Sequence, residues 1–268
     1  MKKKIAIGFI VYNPSSNLLH RLQEALLLGF AIYIFDNSPE KSVIRDFTKG
    51  RGNIKYATSG KNVGLGIGLS TVCAEAYYGG YPALIFFDQD TSFSTETLIA
   101  IEKYYIDNKD LVSNYSSVVF NSRNIGLKNN EFVNCFGDVL LSRNSGSLFF
   151  LENLRKMNWH NEKYFVDGVD YEFCLNSQLN NFRIGEYSCT PGFDHAVEQG
   201  DKKYKFFGKT YSMRKYSWYR IVDTANSSVK LIFRSVLHGE IQFSVRITRL
   251  LLIYIVTQLL VRAHPGEV

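Results

Sequence analysis

The sequence predicts an α/β protein with a mostly parallel sheet and a C-terminal helical extension. Three observations carry the prediction. Apolar runs of strand length alternate with helical stretches over about the first 90 residues. Three of those runs end in polar residues, as strand ends do around a ligand crevice. After about residue 200 the chain turns basic and aromatic, then helical. The composition agrees: of 268 residues, 46% are apolar and 21% charged, which excludes disorder. Lys and Arg number 31 against 25 Asp and Glu, a formal charge of +6.

The elements follow in order. Ile5-Ala6-Ile7-Gly8-Phe9-Ile10-Val11 is a continuous apolar run, suited to a parallel strand covered on both faces. It follows a short basic start with no small-residue cleavage site, so it reads as a first strand rather than a signal peptide and implies a cytoplasmic protein. Leu18, Leu19, Leu22, Leu26 and Leu27 recur at helical spacing, and Gly29 stops the helix. Residues 31–36 form a second strand ending in Asp36-Asn37-Ser38-Pro39, and 53–58 a third. A helix after the Gly64-Leu65-Gly66-Ile67-Gly68 string ends at Gly79-Gly80, and a fourth strand, 83–88, ends in Asp88-Gln89-Asp90. From residue 115 the runs 116–120, 131–136, 138–142 and 147–151 read as short strands of an antiparallel or mixed portion. A helix over 171–180 and a strand over 182–187 complete this half. The domain boundary is expected near residue 200, with 1–200 as the α/β domain and 201–268 as the extension.

Four cysteines, Cys73, Cys135, Cys174 and Cys189, lack CxxC spacing, which argues against a thiolate zinc site. Counting leaves disulfides open, although a chain this large and core-rich does not need them. The glycine string lacks both the spacing and the first-turn position of a dinucleotide fingerprint, so a nicotinamide-dependent oxidoreductase is disfavoured. Those glycines read instead as easing a tight turn and close helix packing.

Three groups carry chemistry. Asp88 and Asp90, one residue apart past a buried strand, suit a hard divalent cation that bridges to a diphosphate; the bland reading is a solvated turn. Asp167, Asp170 and Glu172 lie within six residues at a helix start, where acids either cap the helix or supply a base. His195, in a turn-rich segment, reads as a third metal ligand when combined with those acids.

Taken together, Gly8-Phe9-Ile10-Val11-Tyr12-Asn13-Pro14, Asp36-Asn37-Ser38-Pro39, Asn62-Val63-Gly64, Phe87-Asp88-Gln89-Asp90, Ser145-Gly146-Ser147 and Asp167-Gly168-Val169-Asp170 resemble family 2 glycosyltransferases, most of all the bacterial rhamnosyltransferase branch. The match runs over residues 5–200. The resemblance implies a GT-A fold, a nucleotide-binding αβα sandwich, with a nucleotide-sugar donor, Mg²⁺ or Mn²⁺, and inversion at the anomeric carbon. It makes Asp90 the principal metal ligand, joined by Asp88 and His195, and Asp170 the general base. Tyr12, Asn13, Asp36, Asn62, Asp88 and Gln89 become donor-binding positions. Two positions depart from the family pattern: Val169 precedes Asp170 where Glu is common, and Ile221 follows Arg220 where Asn is common. The implied donor is dTDP-L-rhamnose, with a UDP-sugar as the nearest alternative, and the acceptor a lipid-linked oligosaccharide of a bacterial surface polysaccharide. A non-catalytic nucleotide-sugar-binding subunit is the reading from another class.

Beyond residue 200, Lys202-Lys203-Tyr204-Lys205-Phe206-Phe207 and Arg214-Lys215-Tyr216-Ser217-Trp218-Tyr219-Arg220 interleave basic and aromatic residues, with no nucleic-acid motif beside them. Leu250 to Val261 is an apolar run of 12 residues between Arg249 and Arg262. It is too short to span a bilayer and suits a helix at the inner face of the cell membrane. The rival reading is a core-packing or oligomer helix.

Overall fold

The computed structural model describes residues 3–40, 42–121, 135–195, 202–206 and 209–263. The chain divides into two compact units, Met1–Ala196 and Val197–Val268.

The first unit is an α/β fold around a sheet of eight strands among the described residues. Strand β1 (Ile5–Val11) is buried along its whole length, as its unbroken apolar sequence requires. Helix α1 (Asn17–Leu27) buries Leu18, Leu22 and Ala25 on one stripe. Strand β2 (Ile32–Asp36), helix α2 (Val43–Thr48), strand β3 (Ile54–Thr58), helix α3 (Leu65–Tyr78) and strand β4 (Ala83–Asp88) follow. Strands β1 to β4 are mutually parallel in the order β3-β2-β1-β4. The chain runs outward from β1 through β2 and β3, and α3 then returns it to the other side of β1. The direction of winding therefore switches between β1 and β4, where such sheets open a crevice beyond the strand ends.

Next come strand β5 (Thr91–Phe93), helix α4 (Thr95–Asp107), strands β6 (Tyr115–Phe120), β7 (Phe136–Asp138) and β8 (Ser147–Phe150), helices α5 (Leu151–Lys156) and α6 (Val169–Leu179), and strands β9 (Arg183–Tyr187) and β10 (Phe193–His195). Strand β8 runs antiparallel to β4 and β6, β9 parallel to β6, and β7 antiparallel to β9. The mixed half expected from the sequence is thus present, in a sheet that is mostly parallel. Strand β10 pairs with β5 outside the main sheet. The core joins residues of both halves, among them Phe9, Phe30, Phe87, Phe93, Val118, Leu148 and Phe150.

Several elements differ from the sequence reading. Residues 138–142 do not continue as a strand, because α6 captures them: Gln178 Nε2 donates to the Leu140 carbonyl at 3.1 Å and Ser142 N to Cys174 Sγ at 3.3 Å. Residues 131–134 of the expected strand 131–136 lie outside the described residues. Helices α2, α4 and α5 had no sequence assignment; α4 starts at a Ser94 cap whose side chain accepts from Thr97 N. A disulfide, which the cysteine count left open, is present: Cys135 and Cys189, with Cα atoms 5.5 Å apart, are bonded. The β7–β9 pairing brings them together, and Ser188 N donates to the Cys135 carbonyl at 2.9 Å.

The second unit contains a hairpin of β11 (Lys202–Phe206) and β12 (Lys209–Met213), where the sequence suggested only a basic, aromatic lead-in. It also contains helices α7 (Trp218–Leu237) and α8 (Ile241–Ala263). These two helices are antiparallel: Arg262, near the end of α8, lies over the Trp218 ring at 4.5 Å and donates to the Tyr216 carbonyl at 2.6 Å. Helix α8 corrects the 12-residue estimate of apolar length. It has 23 residues and a mean hydropathy of 1.6, long and apolar enough by those two measures to cross a membrane. The sequence reading stopped at Arg249, whereas the helix begins a further two turns earlier.

Candidate active site

The C-terminal ends of β1, β2 and β4, the turn before β8 and the start of α6 meet at one edge of the sheet. Tyr12 and Asn13 follow β1. Tyr12 is exposed, and its backbone N–H donates to Gln89 Oε1 at 2.8 Å, tying the first strand end to the Asp88–Asp90 loop. Asn13 has a left-handed φ of 46° and donates its N–H to Ser38 Oγ at 2.8 Å. Asn62 is exposed and turns back on its own loop, Oδ1 accepting from Gly64 N at 3.0 Å.

Asp36, expected among the donor-binding positions, is held tightly within its own loop. It is 1% exposed, and both carboxylate oxygens are engaged. Oδ1 accepts from Ser38 N at 2.8 Å, and Oδ2 from the Tyr56 hydroxyl at 2.9 Å. Ser42 Oγ also donates to Oδ2. Asp36 therefore organises the loop after β2 from within. The neighbouring Asn37, in the same turn, is the tie between loops. Its Nδ2 donates to the Gly64 carbonyl and its Oδ1 accepts from Val63 N, both at 3.1 Å.

The glycine string has the packing role anticipated for it. A Cβ on Gly66 would lie 2.5 Å from the Asn161 carbonyl oxygen, and one on Gly64 2.6 Å from that of Phe165. Gly66 N donates to the Tyr164 carbonyl at 3.2 Å. The start of α3 is thereby pressed against the segment that leads into Asp167 and Asp170.

Asp88 and Asp170 are half-buried, as is Asp90. A single turn joins the first two. Ser145 Oγ accepts from Asp88 N at 3.0 Å and lies 3.0 Å from Thr91 Oγ1, while Asn144 N donates to Asp170 Oδ1 at 3.1 Å. The turn is close-packed at Gly146, whose φ is 81° and whose Cβ, if present, would sit 1.9 Å from the Phe193 ring. The Ser145-Gly146-Ser147 motif thus holds the β4 loop and the α6 acid in one frame. Burial, then the charges of Asp170 and Asp90, push the Asp88 carboxyl up to about 7. Burial pushes Asp170 up to about 6, opposed by the Asn144 N–H and the charge of Arg143.

A further residue escaped the sequence reading. Arg21 of α1 donates through one guanidinium nitrogen to the Gln89 carbonyl at 2.5 Å and through the other to the Thr91 carbonyl. It clamps the backbone on both sides of Asp90, whose charge acts on it. One Arg among leucines at helical spacing has no sequence signal that distinguishes it from a solvated position.

The donor set suits a hard divalent cation such as Mg²⁺ or Mn²⁺. Asp88 and Asp90 offer only oxygen, and the crowding at Asp88 is an excess of negative charge that a cation relieves. Among the described residues no group of three or more His, Cys, Asp or Glu is placed to hold a metal. Two carboxylates fit the usual Mg²⁺ pattern, in which substrate phosphates and water complete the shell. The backbone of His195 pairs with Thr91, the residue after Asp90. Its side chain, and with it the expected third ligand, lies outside the described residues.

No protein-family model and no curated protein matches the chain. Solved structures do. TarS of S. aureus superposes with a TM-score of 0.52 at 16% identity, over 72% of this chain and 36% of that one. TarS 1–349 in complex with UDP gives a TM-score of 0.51 at 15% identity, over 72% and 60%. TarS 1–349 in complex with UDP-GlcNAc gives 0.52 at 12%, over 87% and 66%. This chain therefore spans about a third of that TarS chain, and at such identities the likeness is one of fold, of GT-A type.

Proposed function

We propose that the chain is an inverting, metal-dependent glycosyltransferase using a nucleotide-sugar donor. The observation that carries the reading is the convergence of Asp88, Asp90 and Asp170 at the switch between β1 and β4, in a fold of GT-A type. Asp88 and Asp90 would hold the cation, which when bound neutralises charge on the departing diphosphate. Asp170 takes the proton of the acceptor hydroxyl as that oxygen bonds to the anomeric carbon. The bond from carbon to diphosphate oxygen breaks on the opposite face, and the configuration inverts in one displacement. A carboxylate raised to about 6 is ionised at neutral pH yet more basic than a free one, which suits a general base. This favours an enzyme over a binding subunit, which has no need of a base.

The resemblance to the rhamnosyltransferase branch supports dTDP-L-rhamnose as donor. The UDP and UDP-GlcNAc complexes of TarS support a UDP-sugar as the second reading. A bacterial surface polysaccharide on a lipid carrier is the proposed acceptor, reached from the cytoplasmic membrane face. The second unit supports that location. Trp218, Tyr219, Phe233 and Leu237 of α7 and Val245, Leu252, Val256 and Leu259 of α8 are exposed. Residues 213–263 carry eight Lys or Arg against two Asp or Glu. Exposed apolar helices with a cationic excess suit an anionic lipid surface.

Incubation with a panel of dTDP- and UDP-sugars, with Mg²⁺ or Mn²⁺, tests the assignment through release of the nucleoside diphosphate. Release from at least one donor, lost in Asp90→Ala, is expected. Equal release by wild type and Asp90→Ala, or full activity in EDTA, contradicts the metal-dependent mechanism. Salt-sensitive binding to anionic vesicles, weakened by Leu252→Ser with Val256→Ser, tests the membrane location; indifference of the wild type to vesicles at low salt removes it.

A further inference from the structure

We propose that Arg143 grips the donor's diphosphate and takes up the charge that develops on it as the glycosidic bond breaks. The inference rests on the glycosyltransferase reading and adds to it a residue that no motif supplied.

Arg143 opens the turn that ties Asp88 to Asp170. The turn is fixed by its own bonds: Ser147 Oγ donates to the Arg143 carbonyl at 2.6 Å, Ser147 N to the Asn144 carbonyl at 3.0 Å, and Gly146 N to the Phe86 carbonyl at 2.8 Å. The base of the side chain is therefore held in place. Arg143 is exposed, and its charge acts on both Asp88 and Asp170. Yet among the described residues it makes no hydrogen bond or ion pair, although an Arg this close to carboxylates commonly closes a bidentate pair.

The carboxylates are committed elsewhere. Asp170 Oδ1 accepts from Asn144 N, and Asp88 and Asp90 form the pair suited to a cation. What remains is a planar fork of donors, open toward solvent, beside the loop that would receive a diphosphate. Arg matches phosphate oxygens in a bidentate way that Lys does not. Four carboxylates, Asp88, Asp90, Asp167 and Asp170, surround this mouth, so a ligand with two phosphates needs more positive charge than one divalent ion supplies. The cation that restrains those carboxylates in the free protein is the one placed to pair with the phosphates that arrive.

Calorimetry with Mn²⁺ tests this with UDP or dTDP, whichever the wild type binds, and with the matching nucleoside. Arg143→Gln should weaken nucleoside diphosphate binding by about 10–100-fold, the loss expected when a charge-assisted bond to phosphate is removed. Nucleoside binding should be unchanged. In turnover, donor KM should rise and kcat fall, and Arg143→Lys should recover part of both. Unchanged diphosphate affinity in Arg143→Gln overturns the proposal. So does equal loss of nucleoside and diphosphate binding, which marks a structural role, and so does a change confined to acceptor KM. A wild type that binds neither UDP nor dTDP with Mn²⁺ overturns the glycosyltransferase reading itself, and this inference with it.

Discussion

Asp36 and Asp88 occupy equivalent places. Each closes a buried parallel strand, after Ile34-Phe35 in one case and Phe86-Phe87 in the other, and each leads into a polar turn. Their surroundings are opposite. Asp36 is enclosed by hydrogen-bond donors from Ser38, Ser42 and Tyr56. Asp88 has no such ring of donors: burial, then the charges of Asp170 and Asp90, raise its carboxyl, against only a Ser145 hydrogen bond and the charge of Arg143. A satisfied carboxylate stabilises the fold, whereas a crowded one stores repulsion that only a proton or a cation relieves. This difference is what singles out Asp88, rather than Asp36, in the proposed chemistry.

The largest expected effect lies on the crowded side. Asp88→Asn and Asp170→Asn should each lower turnover by about 10²–10⁴-fold, with no loss of thermal stability, because each removes a repelled charge. A lowered melting temperature in Asp88→Asn would erase its distinction from Asp36.

Asp36→Ala should do the reverse. It strands the Ser42 and Tyr56 hydroxyls and the Ser38 backbone N–H and should cost about 3 kcal/mol of stability by urea melts. Turnover per folded molecule should change far less than in Asp88→Asn.

Arg21→Gln sharpens the comparison from outside the carboxylates. Releasing the clamp on the Gln89 and Thr91 carbonyls should weaken Mn²⁺ binding by about 10–100-fold, as loss of an outer-shell partner does, without affecting the loop around Asp36. Isothermal titration with Mn²⁺ measures it.

The smallest effect is on pH dependence. The Asp88 and Asp170 carboxyls are raised to about 7 and about 6, above their unfolded values near 4. Between those limits the folded protein holds protons that the unfolded chain has released. These two groups therefore make stability fall as pH rises from about 4 to about 7 and level off above. Asp88→Asn should make that slope shallower in metal-free buffer, and Mn²⁺ should restore stability to the wild type above pH 7.

The sequence carried the parallel half plainly because β1 and β4 are buried on both faces and read as unbroken apolar runs. Helix α5 and the segment 138–142 were not legible, since α6 and the sheet, not local propensity, decide them. The carboxylates at Asp88, Asp90 and Asp170 could be named from strand ends and motif likeness. Their sorting from Asp36 could not, because it depends on Tyr56, Ser42 and Asn144, which are distant or featureless in sequence. Arg21 and Arg143 were invisible for the same reason: a clamp or an open fork is defined by what surrounds it.

Nucleotide binding with and without metal tests the assignment of the β4 end most directly. Titration of UDP and dTDP into wild type and Asp88→Asn at pH 8, in Mn²⁺ and again in EDTA, should show wild-type binding that requires Mn²⁺ and weakens at least about 10-fold in the variant. Equal affinities in Mn²⁺ and EDTA, with Asp88→Asn indistinguishable from wild type, would contradict it.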